Sequence, residues 1–215
     1  MKQSSLDTLR LEIDAIDDKI HKLLMSRTEL VTEVGNLKQR AGEMGFSLRP
    51  AREAAIMRRL VAKHQGAFPA SALVKIWREL LSGTVKVQTP FSVAVCNGKD
   101  PILHHSLVRD QFSGAPVRNF PHPDDAICNV VKGDAMVAVV PVPSQKSAES
   151  WWADLAFGEY QSLKIVGRLP FLKADTPNLG EAFSIASVRP EPSGEDITLC
   201  AVSYTHLTLP TILRV

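Results

Sequence analysis

Arg10, Arg27, Lys38, Arg52, Glu53, Thr84 and Gln88 have the types and spacings to hold a small, multiply charged anion. Arg27 and Lys38 are eleven residues apart, which on an α-helix leaves them ~20° apart in azimuth and therefore on one face. Arg10 precedes Arg27 by seventeen residues, so it falls ~100° away and ~25 Å along the axis. It cannot serve the same pocket from the same chain, but it could serve the pocket of an antiparallel partner. Guanidinium forks match carboxylates, and several cations around one carboxylate complement a dianion or trianion. This half has no Cys or Ser nucleophile beside a base and no metal-ligand cluster. The chemistry on offer is positioning and electrostatic stabilisation, with no cofactor or metal expected.

Three helices must carry these residues. Leu6, Leu9, Ile13, Ile16, Ile20, Leu23, Leu30, Val34 and Leu37 repeat with alternating spacings of three and four, the seam of a helix packed along its whole length. A helix from about Ser5 to Arg40 is roughly 50 Å long, more than a ninety-residue monomer can cover, and a second copy is the simplest cover. Arg27 stands at the one seam position that is not apolar. A second helix starts at Pro50, carries Ile56, Met57, Leu60 and Val61, and stops before Gly66. A third starts at Pro69 with Leu73, Ile76, Trp77, Leu80, Leu81 and Val85 on one side, the row continuing into Thr84 and Gln88.

Each polar residue taken singly has an ordinary explanation. An Arg at a seam position snorkels or fixes register. A Lys near a helix C-terminus complements the dipole, Arg10 suits an interfacial ion pair, and a stripe that turns polar can simply emerge into solvent. The coincidence across three helices favours a lined cavity, because buried charge is costly unless matched.

Residues 1–90 hold 15 Lys+Arg against 10 Asp+Glu, whereas residues 91–215 hold 10 against 13. Twelve of the fourteen prolines lie from Pro90 onward, so a domain boundary is expected near residue 90. The basic residues are interleaved with Asp7, Glu12, Asp14, Asp17 and Asp18, which argues against nucleic acid as a partner. No apolar run approaches the ~18–20 residues of a membrane span. Cys96, Cys128 and Cys200 form no CxxC pair, so reduced thiols and a cytoplasmic location are expected.

Beyond residue 90, segments 91–95, 135–142 and 163–168 read as apolar strands, and 103–112 and 150–157 as helices, giving a small α/β unit. A further strand is expected at 197–201. Trp151 and Trp152 suit packing of a helix on a sheet better than ligand stacking, and His104, His105 and His122 lack metal-like spacing.

Leu9-Arg10, Ile13, Ile16-Asp17, Leu23-Leu24, Ser26-Arg27, Glu29-Leu30, Glu33-Val34-Gly35 and Lys38 resemble the first helix of the all-α (type II) chorismate mutases. Pro50 with Arg52-Glu53, then Thr84 and Gln88, continue that order, so the resemblance covers about residues 5–90. It implies an intertwined homodimer that rearranges chorismate to prephenate, without a cofactor, in phenylalanine and tyrosine biosynthesis. Arg27, and Arg10 from the other subunit, would bind the two carboxylates. Lys38 and Gln88 would hydrogen-bond the ether oxygen, Glu53 would accept from the ring hydroxyl, Arg52 would support that end, and Thr84 would stand near a carboxylate. Two features depart from the family: a longer stretch from Lys38 to Arg52, with Gly42 and Gly45 inside it, and Arg49 where the family often has Asp.

The second half is weakly similar to a prephenate dehydratase-type domain. It lacks that family's Thr-Arg-Phe motif, the nearest stretch being Gly167-Arg168-Leu169-Pro170-Phe171, and a non-catalytic or regulatory appendage is the expectation. Residues 202–211 resemble a translated sequencing adapter, so the natural chain is expected to depart near Ala201. The chain is therefore expected to be α+β and multidomain. An all-α three-helix domain over 1–90 precedes an incomplete α/β domain over 91–201 and a non-native tail over 202–215. The competing reading is a dimeric, non-catalytic ligand-binding or regulatory protein of the aromatic amino acid pathway.

Overall fold

The computed structural model describes residues 5–42, 48–88, 91–98, 100–143, 151–172, 180–189 and 191–199. The chain divides into two compact units, Met1–Gly45 and Phe46–Val215.

The first unit is one helix, α1 (Leu6–Arg40). Ser5 caps its N-terminus, its hydroxyl accepting from the Thr8 amide at 3.2 Å, while Asp7 lies in the first turn and Lys38 and Arg40 in the last, so both ends complement the helix dipole. Gly42, at φ +71°, takes the left-handed conformation that ends helices. Among the described residues of α1 none is buried. The nine seam residues from Leu6 to Leu37 are 45–70% exposed. Its less exposed positions are Leu24, Arg27, Val31, Gly35 and Lys38, a single stripe at helical spacing.

The second unit starts with α2 (Pro50–Lys63) and α3 (Ala70–Gln88), which pack through Met57, Val74 and Leu81. Next come β1 (Val93–Cys96), α4 (Pro101–Gln111), β2 (Val117–Phe120), α5 (Pro123–Val131), β3 (Val137–Pro141), α6 (Trp151–Ala156), β4 (Lys164–Leu169) and β5 (Ala182–Ala186). The five-stranded sheet has the order β2-β1-β3-β5-β4. β1 runs parallel to β2 and β3, with Val93 opposite both Val117 and Val137, whereas β5 runs antiparallel to β3 and β4.

Alternation along the strands gives the sheet two covered faces. Val93, Val95, Val137 and Val139 pack with Leu107, Val108 and Phe112 of α4 and its end, and with Val85 of α3. Ala94, Cys96, Ala138 and Val140 pack on the other side with Ile127 and Val130 of α5 and with Trp151. Trp151 is 2% exposed and meets Phe183 edge-on at 6.4 Å, so it packs a helix on the sheet, as its sequence setting suggests. His104 is buried, with its Nδ1 3.0 Å and 2.9 Å from the carbonyls of Asn97 and Asp100; it is structural.

The strand expected at 197–201 is a correction. Residues 197–199 lie in no strand and Ile197 is 84% exposed; the segment just before them is drawn onto α2 by polar contacts described below. Residues 200–215, including the adapter-like stretch, lie outside the described residues. Among the described residues no helix is long and apolar enough to cross a membrane.

Candidate active site

On α1, Arg27 and Lys38 share the less exposed stripe, as eleven-residue spacing requires. Arg10 is exposed, and its Nη1 lies 3.3 Å from Asp7 Oδ1 one turn earlier, a surface pair of little energetic weight.

In the second unit, Glu53 sits in the first turn of α2 and turns inward. Its Oε2 accepts from Nη1 of Arg78, in mid-α3, at 3.1 Å, and the two side chains are only 15% and 6% exposed. Burial pushes the Glu53 carboxyl above its usual range, with the Arg78 guanidinium pulling in the opposite direction. Burial likewise lowers the Arg78 pKa, and Glu53 opposes that. The guanidinium carbon of Arg78 lies 4.8 Å from the centre of the Phe171 ring, just after β4. Among the described residues, Arg78 Nε is buried without a hydrogen-bond partner. A small crevice of about 10 Å³ is lined by Glu53, Ser82, Gln111, Leu48, Phe91 and Phe112, among others. That is room for roughly one water, not for a six-membered ring.

Arg52, the neighbour of Glu53, is exposed. Thr84 is half-buried and its hydroxyl donates to the Leu80 carbonyl at 2.7 Å. Gln88 closes α3, and its side chain lies outside the described residues. Arg49, the departure at a position often Asp, has its own partner: its Nη2 donates to Oε1 and Oε2 of Glu191 at 2.8 and 3.0 Å. Arg58, two turns along α2, donates to Ser193 O (2.7 Å), Ser193 Oγ (2.9 Å) and Glu195 O (3.1 Å), with Glu195 Oε2 3.3 Å from its Nε. The 191–196 segment is thus strapped along α2.

Arg78 escaped the sequence reading because the buried row of α3 is Val74, Arg78, Leu81 and Val85. The sequence had placed the stripe over Ile76, which is 47% exposed. The available signal was a cation at helical spacing between Val74 and Leu81. Among the described residues no group of three or more His, Cys, Asp or Glu is placed to hold a metal ion.

Residues 9–89 match the family model of chorismate mutase type II. Among curated proteins the chain is similar to the bifunctional chorismate mutase/prephenate dehydratase of Pseudomonas aeruginosa, 26% identical over 144 residues (65% of this chain, 39% of the relative). It is also similar to the proteins of the same description from Neisseria gonorrhoeae (28% over 133 residues, 62% and 36%) and Aquifex aeolicus (32% over 107 residues, 48% and 29%). The chain spans between 29% and 39% of the length of these relatives. A 144-residue alignment is longer than the 9–89 span, so the likeness runs on into the α/β part. No solved structure gives a significant match to the chain.

Proposed function

We propose that this chain is a chorismate mutase: it turns chorismate into prephenate by an intramolecular Claisen rearrangement that needs no nucleophile, metal or cofactor. The observation that carries this reading is the match of residues 9–89 to the type II family, in a chain whose α1 sets Arg27 and Lys38 on one stripe. Arg27, with Arg10 of a second copy, binds the substrate's carboxylates through charge-assisted forks. Lys38 and Gln88 hydrogen-bond the ether oxygen, where negative charge grows as its bond to the ring lengthens, so they stabilise the transition state more than the ground state. Glu53 accepts from the ring hydroxyl, Arg52 supports that end, and Thr84 lies near a carboxylate.

The second copy is part of the proposal. Nine exposed seam residues along a 35-residue helix form an apolar stripe that favours pairing, and a homodimer covers it. For a ring hydroxyl to reach the Glu53 carboxylate, the adjoining crevice must also open beyond its present ~10 Å³.

In this proposal the α/β part is a non-catalytic or regulatory appendage of the mutase. In the stretch nearest to a dehydratase motif, Arg168 pairs with Glu181, the Gly167 carbonyl accepts from Ser184 Oγ at 3.2 Å, Leu169 is buried and Phe171 lies against Arg78. Each of these groups therefore has a structural partner.

The test is the loss of chorismate absorbance with the purified full chain, followed by product analysis. Arg27→Ala and Lys38→Ala should each lower the rate by at least ~100-fold, and no phenylpyruvate should form from prephenate. Wild-type rates from both variants would refute this site.

A further inference from the structure

We propose that Arg78 is the positioning residue for Glu53, and that Phe171 of the α/β part holds Arg78 in that role, so that the α/β part sets how the mutase grips the ring-hydroxyl end of its substrate. The inference rests on the function proposed above for Glu53.

Arg78 occupies a core position of α3 between Val74 and Leu81, where an apolar side chain would pack at no electrostatic cost. A buried ion pair gains little over such a side chain, so the pair calls for a role beyond packing. Glu53 can accept a hydrogen bond from a hydroxyl at full strength only as a carboxylate. Burial alone drives it toward the protonated acid, and Arg78 at 3.1 Å is the cation that opposes this. Among the described residues, other groups around Glu53 do not replace it. Ser82 of α3 and Gln111 of α4 line the adjoining crevice without charge; on α2 itself, Arg49 is engaged by Glu191 and Arg52 is exposed.

Arg78 is in turn held by the other half of the unit. Its guanidinium faces the Phe171 ring, where the ring quadrupole attracts the cation, and its Nε has no acceptor among the described residues. The same half reaches α2 at two more places, through Glu191 on Arg49 and through Ser193 and Glu195 on Arg58. The helix that carries Glu53 and the cation that faces it are thus both anchored by residues beyond β4.

The experiment uses the full chain with ¹³C-carboxyl-labelled glutamate. The Glu53 resonance is identified by its loss in Glu53→Gln, and its titration is followed in wild type, Arg78→Met, Arg78→Lys and Phe171→Leu, with folding checked by circular dichroism. In parallel, KM and kcat for chorismate are measured against pH. In Arg78→Met the Glu53 midpoint should rise by about one unit or more, as expected for removal of an adjacent opposite charge. Phe171→Leu should raise it by less, and Arg78→Lys should restore part of the shift. KM should climb on the acid side with the same midpoints while kcat at saturation holds, the pattern of lost binding shared equally by ground state and transition state. An unmoved Glu53 midpoint in folded Arg78→Met or in folded Phe171→Leu would overturn the inference. Absence of turnover in the wild-type chain would refute the mutase reading instead, and the titration then decides the positioning role by itself.

Discussion

Replacing Arg78 by Met removes a buried cation and leaves its carboxylate partner inside the protein, and the cost has a ceiling set by proton chemistry. Glu53 can always escape by binding a proton. At ~1.36 kcal/mol per pH unit above an ordinary Glu value of about 4.3, that escape costs about 3.7 kcal/mol at pH 7 and about 1 kcal/mol at pH 5. The sign follows from linkage. With its carboxyl held above the usual range, the folded chain keeps the Glu53 proton to higher pH than the unfolded chain does. Stability therefore falls as pH rises from about 4.3 through the raised folded value. Wild type already has some of this slope, because burial outweighs Arg78 in setting the Glu53 pKa; Arg78→Met steepens and extends it. Urea unfolding of the full chain at pH 5, 6 and 7 should show a destabilisation that grows by up to about 1.4 kcal/mol per unit. At pH 7 it should approach the ceiling of about 3.7 kcal/mol, within the ~3–5 kcal/mol of a broken buried pair, and adding Glu53→Gln should remove the slope. A pH-independent loss, or one below about 1 kcal/mol at pH 7, would mean that the pair is solvated and that burial of these two side chains has no electrostatic consequence.

Two other outcomes are expected. Because Gln88 is an amide and donates at any pH, the mutase rate at saturating chorismate should be nearly flat from about pH 5 to 8, and Gln88→Glu should confine activity to the acid side; a steep acid optimum of kcat in wild type would count against Gln88 at the ether oxygen. Ile20→Glu, in the middle of the exposed seam of α1, should shift sedimentation from dimer to monomer and abolish turnover together, whereas an unchanged dimer would place the interface elsewhere.

The strongly periodic elements were legible in the sequence. Nine apolar residues at alternating spacings of three and four gave α1 to within a residue at its N-terminus, because a helix seam writes itself over many turns. The valine-rich β1 and β3 were legible because their buried residues form continuous runs. β2 was not: at the sheet edge, its Val117-Arg118-Asn119-Phe120 has only two half-buried residues. α5 was hidden by its length of nine residues and by the Pro121-His122-Pro123 that leads into its first turn, which reads as a loop. In the site, the Arg27–Lys38 relation followed from helix geometry alone. The Glu53–Arg78 pair did not, because its partners are 25 positions apart on two helices whose relative rotation is fixed by packing around Met57. Arg49 looked like a defect against the family pattern and instead meets Glu191, 142 positions away, a contact no local reading could supply.

In the proposed site two chains lodge guanidinium groups around one anionic substrate, and mixing Arg10→Ala with Arg27→Ala subunits tests this most directly. Each variant alone has both of its sites damaged. With random exchange in a two-fold dimer, half of the dimers are mixed and each mixed dimer regains one intact site, so about a quarter of wild-type chorismate turnover should return. Turnover that stays at the level of the separate variants after verified subunit exchange would contradict a shared site.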